Sequence, residues 1–118
     1  MVPTGLYDQD PQRQVADLAQ RAAGLEGPVL VMGDFNLTDQ SWAYVQLSNV
    51  LRDVWREAGW GFGFSFPVGV RVGRVRLPGP LIRIDYIFSS DELWAEQVRV
   101  GCQGGSDHCY LVARLRLP

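Results

Sequence analysis

The segment Pro28-Val29-Leu30-Val31-Met32 constrains this chain more than any other. It is a short, unbroken apolar run set between turn formers, with Gly27 before it and Gly33-Asp34-Phe35-Asn36 after it. Such a run predicts a strand buried on both faces. The flanking segments predict what packs around it. Asp10-Pro11 is a helix start, with Asp as cap and Pro in the first turn. Val15, Leu18, Ala19, Ala22 and Leu25 then recur at helical spacing, and Gly24 and Gly27 end the helix. After the strand, Thr38 or Asp39 is expected to cap a second helix over about residues 41–47, and residues 51–58 predict a further helical stretch. Residues 59–81 are rich in Gly, Pro and Arg and predict loop, with a short strand near 64–66. Residues 82–88 alternate: Ile82, Ile84, Tyr86 and Phe88 share one face, and Arg83, Asp85 and Ile87 the other. Residues 98–100 and 110–115 are the remaining strand candidates. This order predicts an α/β (α+β) domain built on one mostly antiparallel or mixed sheet, with helices on one face.

A length of 118 residues suffices for one domain with a real core and not for two, so residues 1–118 are expected to form a single unit. No apolar run is long enough to cross a membrane. Met1-Val2-Pro3-Thr4 lacks the basic and apolar regions of a secretory signal, so the expected location is cytoplasmic. The net charge of -2 gives no global attraction to polyanions, and any such contact must come from local patches. Every basic residue is Arg, which favours bidentate phosphate recognition over point-charge attraction. Cys102 and Cys109 lie near the only histidine, His108, without the ligand pattern of a zinc site. A disulfide closing this short loop is open, although nothing else in the sequence points to an oxidising compartment.

Three short segments carry chemistry. Gly33-Asp34-Phe35-Asn36 follows a buried strand, and strand ends place side chains at a sheet rim where ligands bind. In an extended chain Asp34 and Asn36 point the same way, one a carboxylate for protons or metal, the other an amide donor. Alone, the segment also reads as a simple turn. Asp85 is a carboxylate within an otherwise apolar strand, so it needs either an ion-pair partner such as Arg83 or a functional site. Ser106-Asp107-His108 offers a proton carrier near neutral pH, or a surface turn with an incidental histidine.

Taken in order, Gly-Asp-Phe-Asn, Arg83-Ile84-Asp85-Tyr86-Ile87-Phe88 and Ser-Asp-His before a closing apolar strand resemble the endonuclease/exonuclease/phosphatase superfamily. Arg13 and Gln14, Leu51-Arg52-Asp53-Val54-Trp55 and Ser65-Phe66-Pro67 echo smaller motifs of that group. The resemblance spans about residues 12 to 116. It implies that Asp34 orients or deprotonates an attacking water and that Asn36 holds a phosphate oxygen or the nucleophile. His108 would contact the scissile phosphate, Asp85 would orient His108, and Asp107 would lie on the metal side with Asp34. Mg²⁺ or Mn²⁺ would neutralise developing charge during hydrolysis of a phosphate ester. Arg71, Arg74, Arg76 and Arg83 would supply a local phosphate-binding patch, and DNA or RNA is the expected substrate. The segment Trp60-Gly61-Phe62-Gly63-Phe64 is expected to pack into the core and loops rather than to stack on bases.

The departures from the family are equally specific. Its amino-terminal half brings an early Asn, a metal-binding Glu and a His that have no counterpart here. Cys109-Tyr110 stands where Arg-Pro is common. This chain corresponds to half of the family's four-layer sandwich, so one sheet face is expected to be apolar and bare, with a second copy of the chain as the expected cover and a separate amino-terminal chain as the alternative. The alternatives to a dimeric nuclease are a catalytically incomplete fragment and a non-catalytic binding module of the same fold.

Overall fold

A computed structural model describes residues 10–76 and 79–118. Met1-Val2-Pro3-Thr4, which bears on the question of a leader, lies outside them. The element order is α1 (Pro11–Ala23), β1 (Leu30–Asp34), α2 (Trp42–Ser48), β2 (Arg52–Asp53), α3 (Val54–Ala58), β3 (Arg71–Val72), β4 (Val75–Arg76), β5 (Asp85–Ser89), β6 (Trp94–Gly101) and β7 (Tyr110–Arg116). Among the described residues no helix is long and apolar enough to cross a membrane.

Local chemistry sets the helices. Asp10 caps α1 by accepting the Gln12 N–H at 3.0 Å, and Pro11 occupies the first turn. Val15, Ala19 and Ala22 form its buried stripe, while Leu25, past the helix end, is exposed. The cap of α2 is Ser41, whose hydroxyl accepts the Tyr44 N–H at 3.2 Å. Thr38 and Asp39, the expected caps, stand in the turn before it, where the Thr38 carbonyl accepts the Ser41 N–H. The stretch from residue 51 is not one helix. Arg52 and Asp53 pair with Ser89 and Phe88 of β5, and Asp53 then caps the short α3 through the Trp55 N–H at 3.0 Å.

The mixed α/β class is as expected, and all strand pairs are antiparallel. The expected single sheet is instead divided into a three-stranded sheet of order β1-β5-β2 and two separate hairpins, β3-β4 and β6-β7. Central β5 is the strand covered on both faces. Tyr86 and Phe88 point into a core with α1 and α2, and Ile87 points into a second core with Val54 and Trp55 of α3 and Val98 of β6. Strand β1 was the expected doubly buried one, and here it is corrected to an edge strand. Val31 packs on the helical core, whereas Leu30 and Met32 face out, Met32 with 65% of its surface exposed. An unbroken apolar run does not record which of its faces the chain itself covers.

Candidate active site

Strands β1 and β5 bring two carboxylates to one rim, because their antiparallel register sets Asp34 directly opposite Asp85. The ladder ends there. Asn36 takes a left-handed conformation, with φ of 53°, and its N–H bonds the Asp34 carboxylate at 3.0 Å. The extended geometry that would aim Asn36 alongside Asp34 is therefore replaced by a tight turn, a conformation that Asn tolerates better than most residues.

His108 arrives from the β6-β7 connection and completes the cluster. Its Nδ1 lies 2.8 Å from Asp85 Oδ2, and its Nε2 lies 3.5 Å from Asp34 Oδ2. Ionised Asp85 can only accept, so Nδ1 donates. The partner of Asp85 is thus His108 and not Arg83. The side chains grade from inside to outside: Asp85 is 17% exposed, His108 25% and Asp34 37%. The hydrogen bond to Asp85 raises the His108 pKa, and the charges of Asp85, Asp34 and Asp107 add to the rise against a smaller opposing effect of burial. The ring of Phe66 packs against the imidazole at 4.6 Å between centroids.

Backbone bonds tie down the loop that carries His108. The Val68 N–H reaches the Asp107 carbonyl at 2.7 Å, and the Cys109 N–H reaches the Ser65 carbonyl at 2.7 Å. Cys102 and Cys109 form a disulfide that closes the loop, the outcome that the spacing left open. Asp107 itself is exposed and stands outside the tight cluster, with its carboxylate near the Ser106 hydroxyl.

Of the expected phosphate patch, Arg83 is removed. It is buried, and its guanidinium bonds both carboxylate oxygens of buried Asp53, which also accepts the Tyr44 hydroxyl at 2.6 Å. Its ring-stacked position over Tyr86, 4.6 Å from the centroid, closes it in further. Arg71, Arg74 and Arg76 remain exposed on the β3-β4 hairpin, where Arg71 and Arg76 stand opposite each other. Gly73 supplies the positive φ that the two-residue turn requires. Two arginines face to face repel, and among the described residues no acidic side chain offsets them.

A cavity of about 270 Å³ adjoins the site, lined by Met32, Asp34, Asp85, Cys109 and Tyr110 among others. A larger one, about 770 Å³, is lined by Gln97, Arg99, Tyr110, Val112 and Arg114 among others and holds no acid-base pair. The β6-β7 hairpin holds Trp94, Arg99, Arg114 and Arg116 on one side of the ladder, a basic stripe missed in the sequence although the alternation of Arg114 and Arg116 was its signal. Also missed was the outward turn of Trp60, which is 94% exposed. Gly59 and Gly63 press on the ring of buried Trp55, where a side chain would clash, so the loop turns its aromatic residues outward.

Asp34, Asp85 and His108 each place a ligand-type atom within 4.8 Å of the others. Asp85 is engaged by the imidazole at Nδ1, and that hydrogen bond raises the His108 pKa. Asp34, at the open edge, is left as the oxygen donor. One carboxylate fits Mg²⁺ or Mn²⁺, hard cations that take one or two carboxylates and fill other positions with water or phosphate oxygens.

A mixed α/β domain thus carries a carboxylate-histidine-carboxylate row at one sheet rim. The sequence profile of the Endonuclease/Exonuclease/phosphatase family matches residues 3–108, and the chain belongs to that family. Solved structures agree in fold. An endonuclease/exonuclease/phosphatase from Bacteroides vulgatus superposes with a TM-score of 0.73 at 24% identity, over 92% of this chain and 44% of its own length. A family protein from Leptotrichia buccalis gives 0.65 at 22%, over 92% of this chain and 43% of its own. A mannosyl-6-phosphatase from Bacteroides thetaiotaomicron gives 0.59 at 17%, over 91% and 44%. This chain therefore spans less than half the length of these structures. No curated protein matches the sequence.

Proposed function

We propose that this chain provides the acid-base part of a metal-assisted phosphodiester hydrolase, most directly a nuclease acting on DNA or RNA. The observation that carries the reading is the graded Asp85-His108-Asp34 row. Asp85 holds Nδ1 and leaves Nε2 directed to the open side, where Asp34 at 3.5 Å is beyond good hydrogen-bond length. Nε2–H can then donate to a phosphate oxygen, and protonated His108 offsets the charge that develops there. The attacking water bonds to phosphorus as Asp34 accepts its proton. The P–O bond to the leaving oxygen breaks, and that oxygen takes a proton from solvent, while the Asn36 amide contacts a non-bridging phosphate oxygen. Mg²⁺ or Mn²⁺, held at Asp34 and with Asp107 on the same side, would supply Lewis-acid neutralisation of the phosphate. Arg71, Arg74 and Arg76 grip the neighbouring backbone phosphates, a role that excludes Arg83.

Exposed Leu30 and Met32, with Tyr110 beside Met32 in the site cavity, support a second copy of the chain as the cover of that face. Sedimentation velocity tests it: a dimer is expected, and a monomer at all concentrations removes it. The Cys102–Cys109 disulfide favours an oxidising compartment over the expected cytoplasm.

A second reading, a phosphomonoesterase, draws on the likeness to the mannosyl-6-phosphatase. One experiment separates the two. Wild type and His108→Ala are compared on supercoiled plasmid, single-stranded DNA, bis(p-nitrophenyl) phosphate and mannose 6-phosphate, with Mg²⁺, Mn²⁺ or chelator. Metal-dependent cutting of the diesters, lost in the variant, is expected. Turnover of the monoester alone favours the second reading, and equal turnover by both proteins overturns the assigned role of His108.

A further inference from the structure

Ser65 is buried and polar, and no step assigned above uses it. Its hydroxyl oxygen accepts the N–H groups of Ile84 at 3.1 Å and Asp85 at 3.2 Å. Its carbonyl accepts the N–H of Cys109 at 2.7 Å, and its own N–H is held by the Ile82 carbonyl at 2.8 Å. Ser65 therefore touches the backbone on both sides of the Asp85-His108 bond: at the residue that carries the acceptor, and at the residue directly after the donor. Those partners are 23 positions apart in sequence, so the chain alone does little to fix their separation.

The residue type suits the task. A hydroxyl oxygen has two lone pairs and can meet two converging N–H donors, which an alanine cannot do. We propose that Ser65 is the positioning residue of this site, a rivet that sets β5 against the His108 loop and holds the Asp85-His108 hydrogen bond at its length. The effect on catalysis rests on the hydrolase reading above; the effect on the hydrogen bond rests on geometry alone.

The experiment uses the sole histidine of the chain. In ¹⁵N-labelled protein at low temperature, the Nδ1 proton of His108 gives one low-field imidazole signal while it is bonded to Asp85. The wild type is expected to give this signal. Ser65→Ala is expected to lose or broaden it, with the Trp55 indole and the amide dispersion kept, and Ser65→Thr, which keeps the oxygen, is expected to restore it. A serine that served packing alone would leave the signal in place in Ser65→Ala, and that result overturns the proposal. If Ser65→Ala does not fold, Ser65→Cys, nearly isosteric with a weaker acceptor, is expected to weaken the signal, and an unchanged signal again overturns the proposal. Absence of the signal in the wild type overturns the pair and the proposal together. In parallel, kcat on bis(p-nitrophenyl) phosphate should fall about 10- to 100-fold in Ser65→Ala with KM little changed. Loss of the signal in Ser65→Ala from a wild type without turnover supports the rivet and sinks only the hydrolase reading.

Discussion

Two carboxylate-cation pairs flank β5, and they are built differently. Asp53 and Arg83 are buried, and the carboxylate is fully engaged by the guanidinium, the Tyr44 hydroxyl and the Trp55 N–H. Asp85 and His108 are partly open, and Nε2 faces outward to an exposed carboxylate. The first pair has no spare donor or acceptor direction to offer a substrate. The second has one, on an imidazole whose pKa the hydrogen bond to Asp85 raises. Reactivity is thus read from what a charged group has left over, not from its being charged or paired.

The sharpest way to break this contrast is to remove each pair in turn. His108→Ala should lower turnover by about 10²- to 10⁴-fold and leave the unfolding midpoint close to wild type. Asp53→Ala should do the reverse in kind, costing roughly 3–5 kcal/mol by urea unfolding because buried Arg83 loses its counter-charge. For a small domain that is a large share of total stability. If His108→Ala unfolds the protein, or Asp53→Ala leaves stability intact, the two pairs are not the different objects described here.

A smaller effect should follow from the disulfide that borders the reactive pair. Closing a loop of this length restricts the unfolded chain by roughly 2–3 kcal/mol. Cys102→Ser with Cys109→Ser should therefore lower stability by about that amount and reduce turnover through the loosened His108 loop. Thiol titration of the denatured wild type should find no free thiol; two free thiols would show that the staple does not form.

The pH dependence sharpens the comparison further. The folded-state pKa of His108 is raised, first by its hydrogen bond to Asp85. Its contribution to stability is then complete below the ordinary histidine value of about 6.5 and is lost as pH rises through the raised folded value. Turnover that needs protonated His108 declines over the same rise. Asp85→Asn removes the main cause, so the inflection should move to lower pH, as followed by NMR titration of the ring. An inflection that stays in place would mean that Asp85 does not control this histidine.

Much of this was legible in the sequence, for stated physical reasons. Gly-Asp-Phe-Asn, the Asp85 strand and Ser-Asp-His announced themselves because each sets a polar group where the local pattern is apolar or turning. The cap at Asp10 was legible because capping is local. Ser41 was not separable from Thr38 and Asp39, since all three can cap and only the turn decides. The partner of Asp85 was not legible either. Arg83 is two residues away and would share a face with Asp85 in one continuous strand, but it precedes β5 and turns towards Asp53. The exposure of β1 depends on what else covers the sheet, which no local pattern carries.

The smallest effect concerns the arginines and returns to the same contrast. Arg71 and Arg76 lack acidic partners among the described residues, and their mutual repulsion is relieved when a phosphate lies between them. Each phosphate contact on duplex DNA contributes about 0.9 to the slope of log affinity against log salt. Arg71→Ala and Arg76→Ala should each lower that slope by about one contact in fluorescence-anisotropy titrations, weakening binding similarly for all sequences. Arg83→Ala should instead destabilise the fold and, in whatever remains folded, leave the slope unchanged. Equal slopes for all the variants would place DNA elsewhere, with Arg99 and Arg114 on the β6-β7 hairpin as the next residues to substitute. A cation already neutralised inside the protein releases no counterion from a polyanion, so the salt slope counts only the arginines that the fold has left unpaired.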